Sequence, residues 1–209
     1  DYSDSNRCEM FYIDAHFTDQ FPGAMYSTLV HEFQHMIHTE SKTGSTPSWF
    51  NEMLSMLAED FMQDHLKTIV ESNAGSAYNI DDAGPIGGRI PTFNGFYDES
   101  GVMDWLPDNN ETEGNETLFS YSSAYAFGAY LARNYGGIKL VSEMEKNGSV
   151  GMQSVTDALH AAGFPGESFA TVFARYGEAL VYNAETAETS GMRHFDVQDG
   201  PTQFPEGSR

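Results

Sequence analysis

The sequence predicts an α+β fold that is mostly helical, with short strand structure ahead of a central helix and a helical bundle after it. Three observations carry this expectation. A β-prone run, Met10–Ala15 (MFYIDA), stands near the start of the chain. Apolar residues recur at three-to-four spacing through Tyr26–Glu40, Ser48–Lys67 and four later segments. Breaks rich in Gly, Pro, Ser and Asn separate those segments.

Composition bounds the rest. A chain of 209 residues can bury a full core, and 1–209 reads as one domain, with a polar tail from about 184 to 209. No apolar run reaches the length needed to cross a bilayer. Ten Lys plus Arg against 31 Asp plus Glu leave a net charge of −21, which repels nucleic-acid backbones and anionic lipid surfaces. A lone Cys8 cannot form an intrachain disulfide. With neither a starting Met nor a basic-plus-apolar leader at Asp1, the chain is expected to be part of a longer precursor.

Taken in order, the first ten residues are polar and read as irregular. Met10–Ala15 is the expected strand, and an exposed edge there would suit an extended peptide. Asp19–Gly23 (DQFPG) has turn chemistry and leads into the helix containing Tyr26–Glu40. A loop dense in Ser, Thr, Gly and Pro follows. Ser48–Lys67 then reads as a second helix, with Pro47 where a first-turn proline is tolerated.

The stretch Ser72–Glu116 is rich in Gly, Asn, Asp and Pro and reads as long loops. Loops of that length usually rim a cleft or bind an ion. Within it Asp108–Gly114 (DNNETEG) places oxygen donors at alternate positions, a candidate calcium loop that lacks the terminal glutamate at the usual offset. Tyr121–Tyr135, Ile138–Lys146, Met152–Ala162 and Glu167–Tyr182 are the four later helices, whose apolar stripes predict a bundle.

The central helix carries His31-Glu32-Phe33-Gln34-His35. Residues four apart on a helix share a face, so both imidazoles can reach one cation, and two ring nitrogens suit zinc. Glu32, rotated by about 100° from His31, can flank an open coordination position and take a proton from water. Leu29, Val30, Phe33, Met36 and Ile37 supply apolar positions beside the histidines, which predicts a buried helix with a polar notch. His38 lies about 10.5 Å of helix rise from His31, too far to share the same ion. Glu52 stands near the start of the second helix, where a tight helix-loop-helix return can bring its carboxylate back to the histidine pair. Glu59, two turns further along the same face, can accept the spare N–H of a ligating imidazole.

HEFQHMI followed after a loop by Trp49-Phe50-Asn51-Glu52 (WFNE) resembles the glutamate-type zinc metallopeptidases, the thermolysin-related and aminopeptidase-type enzymes. HEFQHMI and WFNEMLSMLAED together look closest to the hyicolysin-like secreted bacterial metallopeptidases. The likeness is specific over Tyr26–Phe61, weaker over Ser120–Gly136 and absent elsewhere.

That resemblance implies a thermolysin-like catalytic architecture holding Zn2+ on His31, His35 and Glu52, with Glu32 as the catalytic base. It also implies a secreted, cell-surface or periplasmic bacterial protein. Tyr125-Ala126-Phe127-Gly128 resembles the Y-x-x-G helix that presents an oxyanion-stabilising tyrosine in aminopeptidase-type relatives. Tyr125 is therefore the expected second catalytic residue, with Tyr121, His160 and His194 as alternatives.

Protein or peptide substrates, no nucleic acid, no membrane span and a monomeric state are expected. Endopeptidase activity is favoured over aminopeptidase activity. The relatives with the latter carry G-x-M-E-N ahead of the zinc helix, whereas Gly23-Ala24-Met25 here runs into Tyr26-Ser27. A binding or adhesion domain with a purely structural zinc is the rival of another class, and Glu32 argues against it, because a structural site needs no base.

Overall fold

The computed structural model describes residues 10–20, 22–72, 89, 92–93, 96–106 and 116–181. Cys8, the candidate calcium loop, His194 and the tail from 184 lie outside the described residues. The described residues form seven helices: α1 (Ala15–Gln20), α2 (Pro22–Ser41), α3 (Ser48–Ser72), α4 (Glu116–Tyr135), α5 (Ile138–Lys146), α6 (Gly151–Ala162) and α7 (Phe169–Val181).

The described residues contain no strand, which corrects the expectation for Met10–Ala15. A β-prone run becomes a strand only beside a partner, and the described residues supply none. Instead Asp14 ends the run by capping α1: its Oδ1 accepts the N–H groups of His16 at 2.9 Å and Phe17 at 3.1 Å. Within the DQFPG segment α1 ends at Gln20 and Pro22 opens α2 at the first helical position, with Phe21 outside the described residues.

The later helices fall close to their expected bounds because their stop signals are local. Gly136 and Gly137 take positive φ between α4 and α5, a conformation that costs other residues a Cβ clash. Gly163, at φ 104°, closes α6: Phe164 N–H reaches the carbonyl of Leu159 and Gly163 N–H that of His160. Ser168 and Thr171 exchange side-chain-to-backbone bonds at the start of α7.

The core gathers around α3 and α4. Phe50, Met53, Leu54 and Leu57 of α3 meet Ala124, Phe127, Ala129 and Leu131 of α4, all fully buried. Gly128 permits this closeness, since a Cβ there would stand 2.6 Å from Cγ of Met53 and 3.2 Å from Cδ1 of Leu57. On its other side α4 is sealed by aromatic edges, Phe127 meeting Phe169, Phe173 and Tyr176 at 5.3–5.5 Å between centroids. Such a helix, enclosed almost all round, has little apolar periodicity to display.

Packing of α2 departs from the expected apolar burial. Phe33 and Ile37 are 53% and 45% exposed. The buried stripe that faces α3 is polar, running through Ser27, His31, Gln34 and His38. Polar groups can be buried without penalty only when each finds a partner, and α3 and α5 supply those partners.

Candidate metal centre

His31 and His35 sit one turn apart on α2, their ring centroids 4.8 Å apart and nearly perpendicular. The loop 42–47 reverses the chain so that the first turn of α3 faces them. Pro47 starts that turn by accepting the N–H groups of Phe50 and Asn51. Glu52 Oε2 then lies 3.0 Å from Nε2 of His31 and 3.5 Å from Nε2 of His35. A tetrahedral zinc ion with bonds of about 2.0–2.1 Å separates its ligand atoms by about 3.3 Å, which the two measured separations bracket. The nitrogen, nitrogen and carboxylate set fits the ion in chemistry and in spacing, and all three donor atoms fall within 4.8 Å of one another.

Each imidazole is oriented from behind. Nδ1 of His31 stands 2.7 Å from Oε1 of Glu59, whose other oxygen accepts the hydroxyl of buried Ser27. Nδ1 of His35 stands 3.1 Å from Oδ1 of Asn51 and 3.0 Å from Oγ of Ser55. With Nδ1 as the N–H donor on both rings, both Nε2 lone pairs converge beside Glu52. Side-chain exposures of 12%, 22% and 18% for His31, His35 and Glu52 leave the cluster open to solvent on one side.

The groups perturb one another strongly. Burial pulls the His31 pKa down, but hydrogen bonds and charge from Glu52 and Glu59 outweigh it and raise it to about 9. Burial pushes Glu52 up, yet the two imidazoles reverse this and hold its carboxyl at about 2. His35 is also raised, against burial, by Glu52. A site that gathers positive charge this firmly is matched to a cation.

Glu32 is exposed on α2 next to His31. Tyr121 of α4 faces the same cluster, its ring centroid 6.3 Å from that of His31. Burial, then the charge of Glu52, pushes the Tyr121 phenol up to about 12, so it remains a donor at neutral pH. Two residues from the long loop stretch hold this ring: Trp105 meets its edge at 5.0 Å and the Arg89 guanidinium lies 4.6 Å over its face.

Tyr125 lies one turn along α4 and is fully buried, its phenol raised well above the ordinary value by burial and by Asp60. Asp60 stands 3.7 Å from Arg133 in the α3–α4 interface. Tyr125 therefore sits in the bundle core, whereas Tyr121, the reserve reading, borders the metal donors. His160 engages the carbonyl of Glu167 at 2.8 Å, between α6 and α7.

Sequence reasoning overlooked Ser27, Ser55, Arg89 and Glu145. Ser55 had a signal, standing one turn after Glu52 on the same face. Arg89 and Glu145 had none, because each is far along the chain from the motif it serves.

A helical scaffold that brings two imidazoles and a carboxylate onto one open point defines a candidate metal-dependent protein. Among known proteins the chain is similar to the neutral metalloprotease ShpI of Staphylococcus hyicus, 24% identical over 213 residues. That alignment covers 96% of this chain and 43% of ShpI, so the chain spans less than half the length of this distant relative. No family model matches the sequence, and no solved structure matches it.

Proposed function

We propose that the protein is a zinc-dependent endopeptidase. The observation that carries this reading is the convergence of His31, His35 and Glu52 on one solvent-facing point, beside a free carboxylate and a phenol. His31, His35 and Glu52 would hold the ion, which when bound acidifies water and polarises a scissile carbonyl. Glu32 accepts the proton of the attacking water and returns it to the leaving amine. The Tyr121 phenol donates to the developing oxyanion, with Trp105 and Arg89 fixing its ring.

Protein or peptide chains are the substrates, in keeping with the relation to a metalloprotease. Endo- rather than aminopeptidase action is supported by Gly23-Ala24-Met25, which is wound into α2 with Gly23 and Met25 buried. The secreted or cell-surface location implied by the resemblance belongs to the same reading. No helix among the described residues is long and apolar enough to cross a membrane.

The test is Glu32→Gln. Zinc content and fold are expected to persist while cleavage of casein falls by about 10²–10⁴. Cleavage at the wild-type rate would remove Glu32 from the mechanism, whereas a wild-type protein that holds zinc and cleaves nothing would favour a structural zinc. Comparing amino-terminally blocked with free peptides separates endopeptidase from aminopeptidase action.

A further inference from the structure

We propose that Glu145, on α5, is a positioning residue for the metal centre and acts on His35 through Gln34 and Ser55. The proposal rests on the reading of His31, His35 and Glu52 as one cation's cage.

The relay follows from hydrogen-bond direction. For Nε2 of His35 to face a cation, its Nδ1 must carry the hydrogen and needs an acceptor. Ser55 Oγ, at 3.0 Å, can accept only if its own hydrogen points elsewhere, and it does: Oγ donates to Gln34 Oε1 at 2.6 Å. That requires the Gln34 amide to present its oxygen to Ser55 and its NH2 group to the other side.

On that other side stands Glu145, whose Oε1 accepts from Gln34 Nε2. A carboxylate can only accept, so a flipped amide would set oxygen against oxygen at Glu145, turn its N–H groups on Ser55 Oγ in competition with His35, and leave the Ser55 hydroxyl only the more distant Asn51 carbonyl, at 3.2 Å, to donate to. Glu145 thus selects the amide orientation, the amide selects the Ser55 rotor, and Ser55 completes the acceptor set for His35. His38 Nδ1, 3.0 and 3.1 Å from its two oxygens, holds the carboxylate in place, and Ser41 Oγ donates at 2.9 Å only to Oε2, the oxygen that Gln34 does not use. The Glu145 side chain is 13% exposed, and Gln34 is buried. The two imidazoles are therefore served by two carboxylates, one directly and one through two neutral side chains.

Zinc affinity by chelator competition and the visible absorption of the cobalt(II) form test the relay. The proteins are wild type, Glu145→Gln, Ser55→Ala and their double variant, with Ser41→Ala as control. Glu145→Gln keeps the shape but can accept a flipped Gln34. It is expected to weaken zinc binding about tenfold and to alter the cobalt spectrum. Ser55→Ala should lose a similar factor, and the double variant no more than the weaker single, because both cut one path.

Ser41→Ala removes a bond to the same carboxylate outside the path and should stay within twofold of wild type. Multiplying losses in the double variant, unchanged zinc affinity in Glu145→Gln, or an equal loss in Ser41→Ala would overturn the relay. A wild-type protein that binds no zinc would overturn the cage itself, a result distinct from any of these.

Discussion

Oε1 of Glu59 lies 2.7 Å from Nδ1 of His31 across the α2–α3 interface, in a pocket where Glu59 is 1% exposed. Outer carboxylates of this kind set the tautomer and raise the basicity of a ligating imidazole. Glu59→Ala is expected to weaken zinc binding by about 10–100-fold, with Glu59→Gln intermediate because it keeps volume and can still accept. Chelator competition reads the change. Affinity retained in Glu59→Ala would show that His31 needs no orienting partner.

Metal binding should be coupled to proton release. With His31 raised to about 9, the metal-free site holds a proton at neutral pH that a cation must displace. Apparent zinc affinity should therefore rise with pH, by up to about tenfold per unit between pH 7 and 9, and level off above. Calorimetry in buffers of different ionisation enthalpy measures the released proton directly.

The same shifts fix how the metal-free protein responds to pH. A raised imidazole pKa stabilises the fold fully below its ordinary 6.5, and this contribution is lost as pH rises through about 9. The depressed Glu52 contributes above its ordinary 4.5 and is lost as pH falls towards about 2. Thermal melts of the metal-free protein should thus peak between about pH 4.5 and 6.5 and flatten once zinc is added.

Tyr121 and Tyr125 separate by position, and so should their variants. Tyr121→Phe removes the phenol beside the donor cluster and is expected to lower kcat by about 10²–10³ with little change in zinc content. Tyr125→Phe alters a phenol sealed in the bundle and should leave the rate within about twofold. Steady-state kinetics on a fluorescent peptide distinguish them, and a reversed ranking would return the oxyanion role to Tyr125.

Gly128 is the contact point of α3 and α4. Gly128→Ala forces a Cβ against Met53 and Leu57, both fully buried, and overpacking of this kind costs about 1–3 kcal/mol. A melting temperature lower by about 2–10 °C is expected for a chain of this length. An unchanged melt would mean that Met53 moves aside freely.

Local signals placed the later helices and the side chains that share one face of a helix, but not the burial of Phe33 and Ile37. The His31–His35 spacing and the two-turn step from Glu52 to Glu59 each lie within one helix, where periodicity dictates which side chains share a face, while the return of Glu52 to the histidines was implied by the family resemblance and depends on the docking of α3 on α2. Helix bounds from Ile138 onward followed from Gly and Ser at the turns. The strand at Met10–Ala15 failed because β structure depends on a partner that no local pattern specifies. Tyr125 was preferred to Tyr121 because one turn of α4 looks alike in sequence, and only its docking on α3 decides which ring meets the histidines.

By itself, then, the order of residues determined α2 to α7 and the two-imidazole face of α2, since these follow from the 3.6-residue turn and local stop signals, while α1 was not foreseen. Tertiary structure decided the rest: the outward face of Phe33 and Ile37, the polar seam beneath α2, and the arrival of Arg89, Trp105 and Glu145 at the centre. Those contacts join residues remote along the chain, and their energies depend on which surfaces meet, a quantity that no local window contains.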